Sequence, residues 1–234
     1  MSSRQEEKER RRRERQEREA AEKAKAARRK RLQMVFGGIL GLGVVAALII
    51  VLVVVVLGGD DSPSDEVPAA AAAIPAQKEG DPKKAAELAK CTYEPKVPNE
   101  GAGHEEKDFQ ASDYQKNPPT SGNHFPEWYD DGIYGSGDTP ELGKLVHTLE
   151  HGRINIQYKP GTPATTIAQL ETLYNEMDGG HHLLLYENTT GMSAAIAATA
   201  WDASLTCATM NPQVFDAIRA FRAEHIDKGP EIVP

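Results

Sequence analysis

Two histidines four residues apart bracket a glutamate in His147-Thr148-Leu149-Glu150-His151. On a helix, positions i and i+4 are neighbours, so both imidazoles can bind one metal ion, with Glu150 as a candidate general base beside them. Two further histidines, His104 and His124, each follow residues that favour tight turns: Gly101-Ala102-Gly103 and Pro118-Pro119-Thr120-Ser121-Gly122-Asn123. Four imidazoles, or three with a carboxylate, make a donor set for a transition metal, with zinc and copper the leading candidates and iron also compatible. The sequence contains 7 histidines, all downstream of residue 100, so chance neighbours must be weighed against a built site.

Two enzymatic patterns share the five-residue core. His-x-x-Glu-His is the inverted zinc-protease signature, in which two histidines hold zinc and the glutamate activates water. The run also resembles the metal motif of S-ribosylhomocysteine lyase, whose third ligand is a downstream cysteine, which here would be Cys207. A disulfide between Cys91 and Cys207 accounts for both cysteines instead, in a compartment where disulfides persist. The remaining histidines call for less. His181-His182 opens a strand whose alternation would send the two rings to opposite faces, and His225 falls on the apolar side of a helix as a packing residue. Trp201-Asp202 ends a strand, and Asn188-Thr189-Thr190 fits a glycosylation sequon that would sit at the surface. No glycine-rich phosphate loop joins a strand to a helix, so no nucleotide cofactor is expected; nor is there a nucleophile elbow.

Positioning these groups requires a folded domain, and the charge distribution shows where it lies. Residues 1–33 carry 14 Lys and Arg against 7 Asp and Glu, a net of +7, and the rest of the chain carries 13 against 28, a net of −15. Between head and body, residues 34–57 contain neither charge nor proline, a length that spans a hydrocarbon core of roughly 30 Å at about 1.5 Å per residue. The basic flank precedes the span, so the expected topology is single-pass in the cell membrane, with the N-terminus cytoplasmic and the C-terminal domain extracytoplasmic. The run is too long for a cleaved signal peptide. Membrane lipid is then a partner of the span and the basic juxtamembrane residues. Envelope proteins are candidate partners of the domain, and nucleic acid is not expected. Residues 58–80, rich in Gly, Asp, Pro, Ser and Ala, read as a flexible linker, leaving 81–234 as one globular domain.

Within it, residues 95–138 read as structured loop, followed by a helix opened by Thr139-Pro140-Glu141 and ended by Gly152. At 100° per residue, Leu142, Leu145, Val146 and Leu149 gather on one face, while His147 and His151 point roughly 140° and 180° away. The pair is therefore either exposed or faces a cleft roofed by the long loop. A half-buried strand follows at 153–158, then a helix from Thr162-Pro163 with Ile167, Leu170, Tyr174 and Met177 inward. Strands at 182–187 and 194–201 come next, and Asn211-Pro212 opens the last helix, with Val214, Ile218 and Phe221 on its apolar side. The order α-β-α-β-β-α predicts an α+β fold, with helices packed on a small, mostly antiparallel sheet.

Pro118 to His124, His147 to Gly152 running into Arg153-Ile154-Asn155-Ile156-Gln157-Tyr158, and Ala200-Trp201 together resemble the domain of unknown function 3105 family, over roughly residues 88–234. That resemblance implies bacterial membrane proteins with a basic tail, one transmembrane helix and this domain. It implies no activity, substrate or cofactor.

Overall fold

The computed structural model describes residues 71–231. The charged tail (1–33), the apolar stretch (34–57) and most of the linker lie outside the described residues, and no helix among those described is long and apolar enough to cross a membrane.

The domain is α+β. Helix α1 (Pro82–Ala89) is followed by strand β1 (Cys91–Glu94), a long loop, β2 (Gly132–Tyr134), α2 (Leu142–Glu150), β3 (Ile154–Tyr158) and α3 (Ala164–Glu176). Then come β4 (Leu183–Glu187), β5 (Ile196–Ala200), β6 (Ala203–Cys207) and α4 (Val214–His225). The six strands form one mixed sheet in the order β1-β6-β5-β3-β4-β2; β1/β6, β6/β5 and β5/β3 are antiparallel, while β3/β4 and β4/β2 are parallel.

The predicted succession of helix, strand, helix, strand, strand, helix is present, with four additional elements. Helix α1 has clear local signals: Asp81 caps it by accepting from Lys84 N at 2.8 Å, Pro82 takes its first turn, and Lys90 closes it in the left-handed conformation (φ 57°). Strands β1 and β2 are four and three residues long, too short to carry a persuasive alternation, while β6 alternates Ala203, Leu205 and Cys207 with Ser204 and Thr206. Their places are set by pairing, as with Cys91 opposite Cys207 in the β1/β6 register, where the two cysteines form a disulfide.

Helices α1, α3 and α4 pack on one sheet face, where Ile154, Ile156, Leu183, Leu185, Ile196 and Leu205 meet Leu170, Leu173, Ile218 and Phe221. Helix α2 and the long loop cover the other. Strand β3 is therefore buried on both faces, not half-buried as its alternation implied. Its second face is polar and internally satisfied. Asn155 donates to Leu145 O (2.9 Å) and accepts from Thr148 Oγ1 (3.0 Å), while Gln157 donates to Thr199 Oγ1 (3.1 Å) and accepts from Asn188 Nδ2 (2.7 Å). This ties α2 to the sheet in a fixed orientation. It also corrects the expected surface position of Asn188, which is buried with its amide committed to this network.

Candidate metal centre

Helix α2 buries both of its faces. Leu145, Val146 and Leu149 pack inward, and His147, Glu150 and His151, on other sides, are buried too. Of the two arrangements open from the helical wheel, the structure has the cleft, and the long loop roofs it. The roof is held by backbone pairing between its two histidine segments. Gly122 N donates to Gly101 O, His124 N to Gly103 O and Glu105 N to His124 O, each at 2.9 Å, which sets His104 and His124 side by side. Close approach is what the glycines allow: a Cβ on Gly103 would lie 2.8 Å from Asn123 Oδ1, and one on Gly122, at φ +122°, 2.8 Å from the Tyr114 ring. Phe125 N then bonds Gly143 O at the start of α2, joining roof to helix.

The result is a group of four side chains, His104, His124, His147 and Glu150, whose donor atoms lie within 4.8 Å of one another. The Nε2 atoms of His124, His104 and His147 stand 3.0, 3.4 and 3.9 Å from Glu150 Oε2. Two of the rings have their tautomer fixed. His147 Nδ1 lies 2.8 Å from Phe125 O and His124 Nδ1 lies 2.8 Å from Gly122 O; a carbonyl only accepts, so each Nδ1 carries the proton and each Nε2 presents a lone pair to the group. His124 Nε2 and Glu150 Oε2 are buried and lack a hydrogen-bond partner of acceptable geometry. Burial pushes the His124 and His147 imidazoles below their usual range and the Glu150 carboxyl above its own. With both Nδ1 protons turned to carbonyls, the His124 and His147 Nε2 lone pairs face Glu150 Oε2, an arrangement that costs free energy unless a cation, proton or metal ion, sits between them. For metal–nitrogen and metal–oxygen bonds near 2.0–2.1 Å, the edge of a tetrahedron is about 3.3 Å, close to the separations found here.

His151 is not part of this group. It belongs with His147 and Glu231 to a second group of donors, its Nε2 3.5 Å from Glu231 Oε2. The i,i+4 pair thus contacts ring to ring (centroids 4.5 Å apart) but faces two different sets of partners. Glu231, unsuspected from sequence, arrives on a segment whose backbone docks on the end of α2: Asp227 N donates to Gly152 O (2.9 Å) and Glu231 N to Glu150 O (3.1 Å). No local signal marked it, because only tertiary docking brings it to the helix. Trp128 makes T-shaped contacts with the His147 and His151 rings, and Trp201 with that of His124. A groove of about 430 Å³ lined by Glu127, Trp128, Tyr129, Asp130 and Tyr134 meets the site through Trp128.

The remaining readings resolve one by one. Cys207 is bonded to Cys91 and is not available as the third ligand of a lyase-like site. Arg153 pairs with Asp131 (2.9 Å). The His181 and His182 rings stack at 3.9 Å instead of diverging, because β4 begins only at Leu183 and His182 adopts φ +52°, where strand alternation does not hold. Although His181, His182 and Asp131 lie together, both Asp131 oxygens are engaged by Arg153 Nε and His182 N, and His182 Nδ1 pairs with Asp227 at 2.5 Å. His225 packs on Phe221 and bonds the Tyr93 hydroxyl at 2.9 Å.

No curated protein and no solved structure matches the chain. One family model does, that of a protein of unknown function (DUF3105), over residues 104–233, a segment that runs from the first histidine of the site to beyond Glu231. More than half of the sequence is matched, and the chain belongs to the DUF3105 family.

Proposed function

We propose that the domain binds one transition-metal ion through His104, His124, His147 and Glu150. One observation carries this reading: three imidazole Nε2 atoms converge on Glu150 Oε2, two of them with lone pairs set by backbone carbonyls, and leave buried polar atoms without partners. Three imidazoles and one carboxylate suit zinc or copper. Glu150 is a ligand in this arrangement. A general base would need its oxygen turned toward a substrate, and here it faces three rings. Such a site binds or passes on an ion, which makes an envelope protein that delivers or receives metal the expected partner.

The chain is held, in this proposal, by residues 34–57 in the cell membrane, with 1–33 cytoplasmic and the domain outside. Support comes from the charge asymmetry and from the Cys91–Cys207 disulfide, which suits an oxidising compartment. Protease added to intact cells should digest the domain and spare residues 1–33; the reverse pattern would refute the orientation.

The test of the site is elemental analysis of the full-length protein in detergent, beside His104→Ala and His124→Ala/His147→Ala variants. Near one zinc or copper per chain is expected in the native protein, reduced in the single variant and lost in the double. His104 is 39% exposed, so its removal leaves the core intact if the double variant misfolds. Absence of metal from the native protein, even after exposure to both ions, would overturn the reading.

A further inference from the structure

His147 stands in both donor groups, and its chemistry restricts how they can be used. With Nδ1 committed to Phe125 O, the same Nε2 must serve the set with His104, His124 and Glu150 and the set with His151 and Glu231. One lone pair binds one ion, so the two positions cannot be filled together through His147. They are close: the His147 ring centroid lies 4.7 Å from His104, 4.7 Å from His124 and 4.5 Å from His151.

The two sets are also built differently. In the inner set His124 and Glu150 are almost fully buried. In the outer set the Glu231 side chain is 50% exposed, spanning from solvent to an imidazole that is itself buried. No carbonyl fixes His151 in the way that Gly122 and Phe125 fix the inner rings; its Nδ1 is buried without a partner. The outer set has one half-exposed carboxylate, Glu231, whereas Glu150 is buried among three imidazoles in the inner set, so the stronger attraction for a cation lies inward. An ion in a buried site cannot shed four ligands to water at once. It leaves by replacing them one at a time, and the replacements must lie within reach.

We infer that His147, His151 and Glu231 form an exchange position through which a metal cation moves between solvent, or a donor protein, and the inner site, with His147 remaining bound as the pivot. Glu231 captures the hydrated ion, His151 replaces a second water, and His147 hands the ion inward as His124, His104 and Glu150 close on it. Trp128, in T-shaped contact with both His147 and His151, walls the passage on one side. This route rests on the inner site proposed above.

The experiment is a comparison of rates with affinities in the full-length protein in detergent. Zinc loading of the metal-free protein and zinc release to a colorimetric chelator are timed for the wild type, Glu231→Gln and His151→Gln, and the equilibrium affinity of each is measured separately. Loss of an exchange intermediate slows loading and release together, by about tenfold or more, and leaves affinity within a few-fold of wild type at one ion per chain. Three results would overturn the route. Unchanged rates in both variants would show that the ion passes the exposed edge of His104 instead. A large loss of affinity carried by faster release would make Glu231 or His151 a resting ligand, and two ions per wild-type chain would remove the shared pivot. A wild type that binds no zinc refutes the inner site itself, which the other three results do not.

Discussion

Replacing Glu150 by glutamine separates a metal site from an ion-paired histidine cluster, because the two predict opposite signs. In the metal-free protein, Glu150 Oε2 and His124 Nε2 are buried 3.0 Å apart without a hydrogen bond, and the His124 tautomer leaves Nε2 as an acceptor. A glutamine amide supplies the missing donor at that distance. Satisfying two orphaned atoms and removing a buried carboxylate should stabilise the metal-free domain by about 1–2 kcal/mol. At roughly 2–4 °C per kcal/mol for a domain of this size, the melting temperature rises by about 2–8 °C. With zinc at about 100 times its dissociation constant, the wild type gains about 2.7 kcal/mol, or roughly 5–11 °C, and the variant, lacking the anionic ligand, gains much less. The two proteins should therefore exchange rank: Glu150→Gln melts higher in chelator, wild type higher in zinc. Were the cluster instead an ion pair between Glu150 and protonated histidines, the substitution would leave buried cations unpaired and cost about 3–5 kcal/mol without any metal. Thermal melts by circular dichroism, with and without chelator, decide it. A Glu150→Gln protein that melts well below wild type in chelator refutes the reasoning.

Three further outcomes are expected. Gly229 packs against the end of α2, where a Cβ would lie 2.8 Å from the Glu150 carbonyl carbon and overlap Glu150 O and Gly152 N; Gly229→Ala should cost about 1–3 kcal/mol by forcing the 227–231 segment off the helix, read as a lower melting temperature. Cys91→Ser/Cys207→Ser opens a loop with a sequence separation of 116 and should lower stability by about 2–5 kcal/mol in urea titrations. Burial pushes the His225 imidazole below its usual range, with Glu224 opposing the shift and Lys228 adding to it. The unfolded chain then takes up this proton first, so the stability contribution is complete above the unfolded value of about 6.5 and is lost as pH falls through it toward the depressed folded value. In chelator, His225→Gln should flatten the fall of the urea midpoint below pH 6.5, and an unchanged slope would contradict the assignment.

Much of this architecture was legible because the long elements carry their own periodicity. Val214, Ile218 and Phe221 fall on one face of α4 and are fully buried, and Leu170 and Tyr174 do the same for α3. What stayed hidden depends on pairing across long separations. Strand β1, Cys91–Glu94, is four residues long and is placed by its pairing with β6 about a hundred residues away, while β6, Ala203–Cys207, does alternate apolar with polar residues but follows β5 too closely to have been separated from it in sequence. The polar face of β3 misled for a related reason: Asn155 and Gln157 look solvent-facing until Thr148 and Thr199 supply their partners. At the site, residue type and turn residues pointed to His104, His124, His147 and Glu150, which the fold brings together. Helical spacing alone placed His151 with His147, and spacing says nothing of the side from which other ligands arrive. Glu231 decides that for His151, and the loop decides it for His147.

The same division of labour explains why the site is made from a loop and a helix. His147 and Glu150 stand on α2, which the Thr148–Asn155 and Leu145–Asn155 bonds fix to the sheet; His104 and His124 stand on a roof whose two segments pair with each other and reach the rest of the domain through Phe125 N to Gly143 O and Asp202 N to Thr120 O. An ion bound by all four would join roof to helix beside a small hydrophobic cluster of Phe109, Tyr114 and Val146 with Leu142 and Trp201 at its margin. Binding free energy is then also ordering free energy for the roof. A metal held by α2 alone would leave the roof's stability unchanged. A metal held as proposed makes the roof and its ligands one cooperative unit, so that whatever withdraws the ion also loosens the segment 101–125.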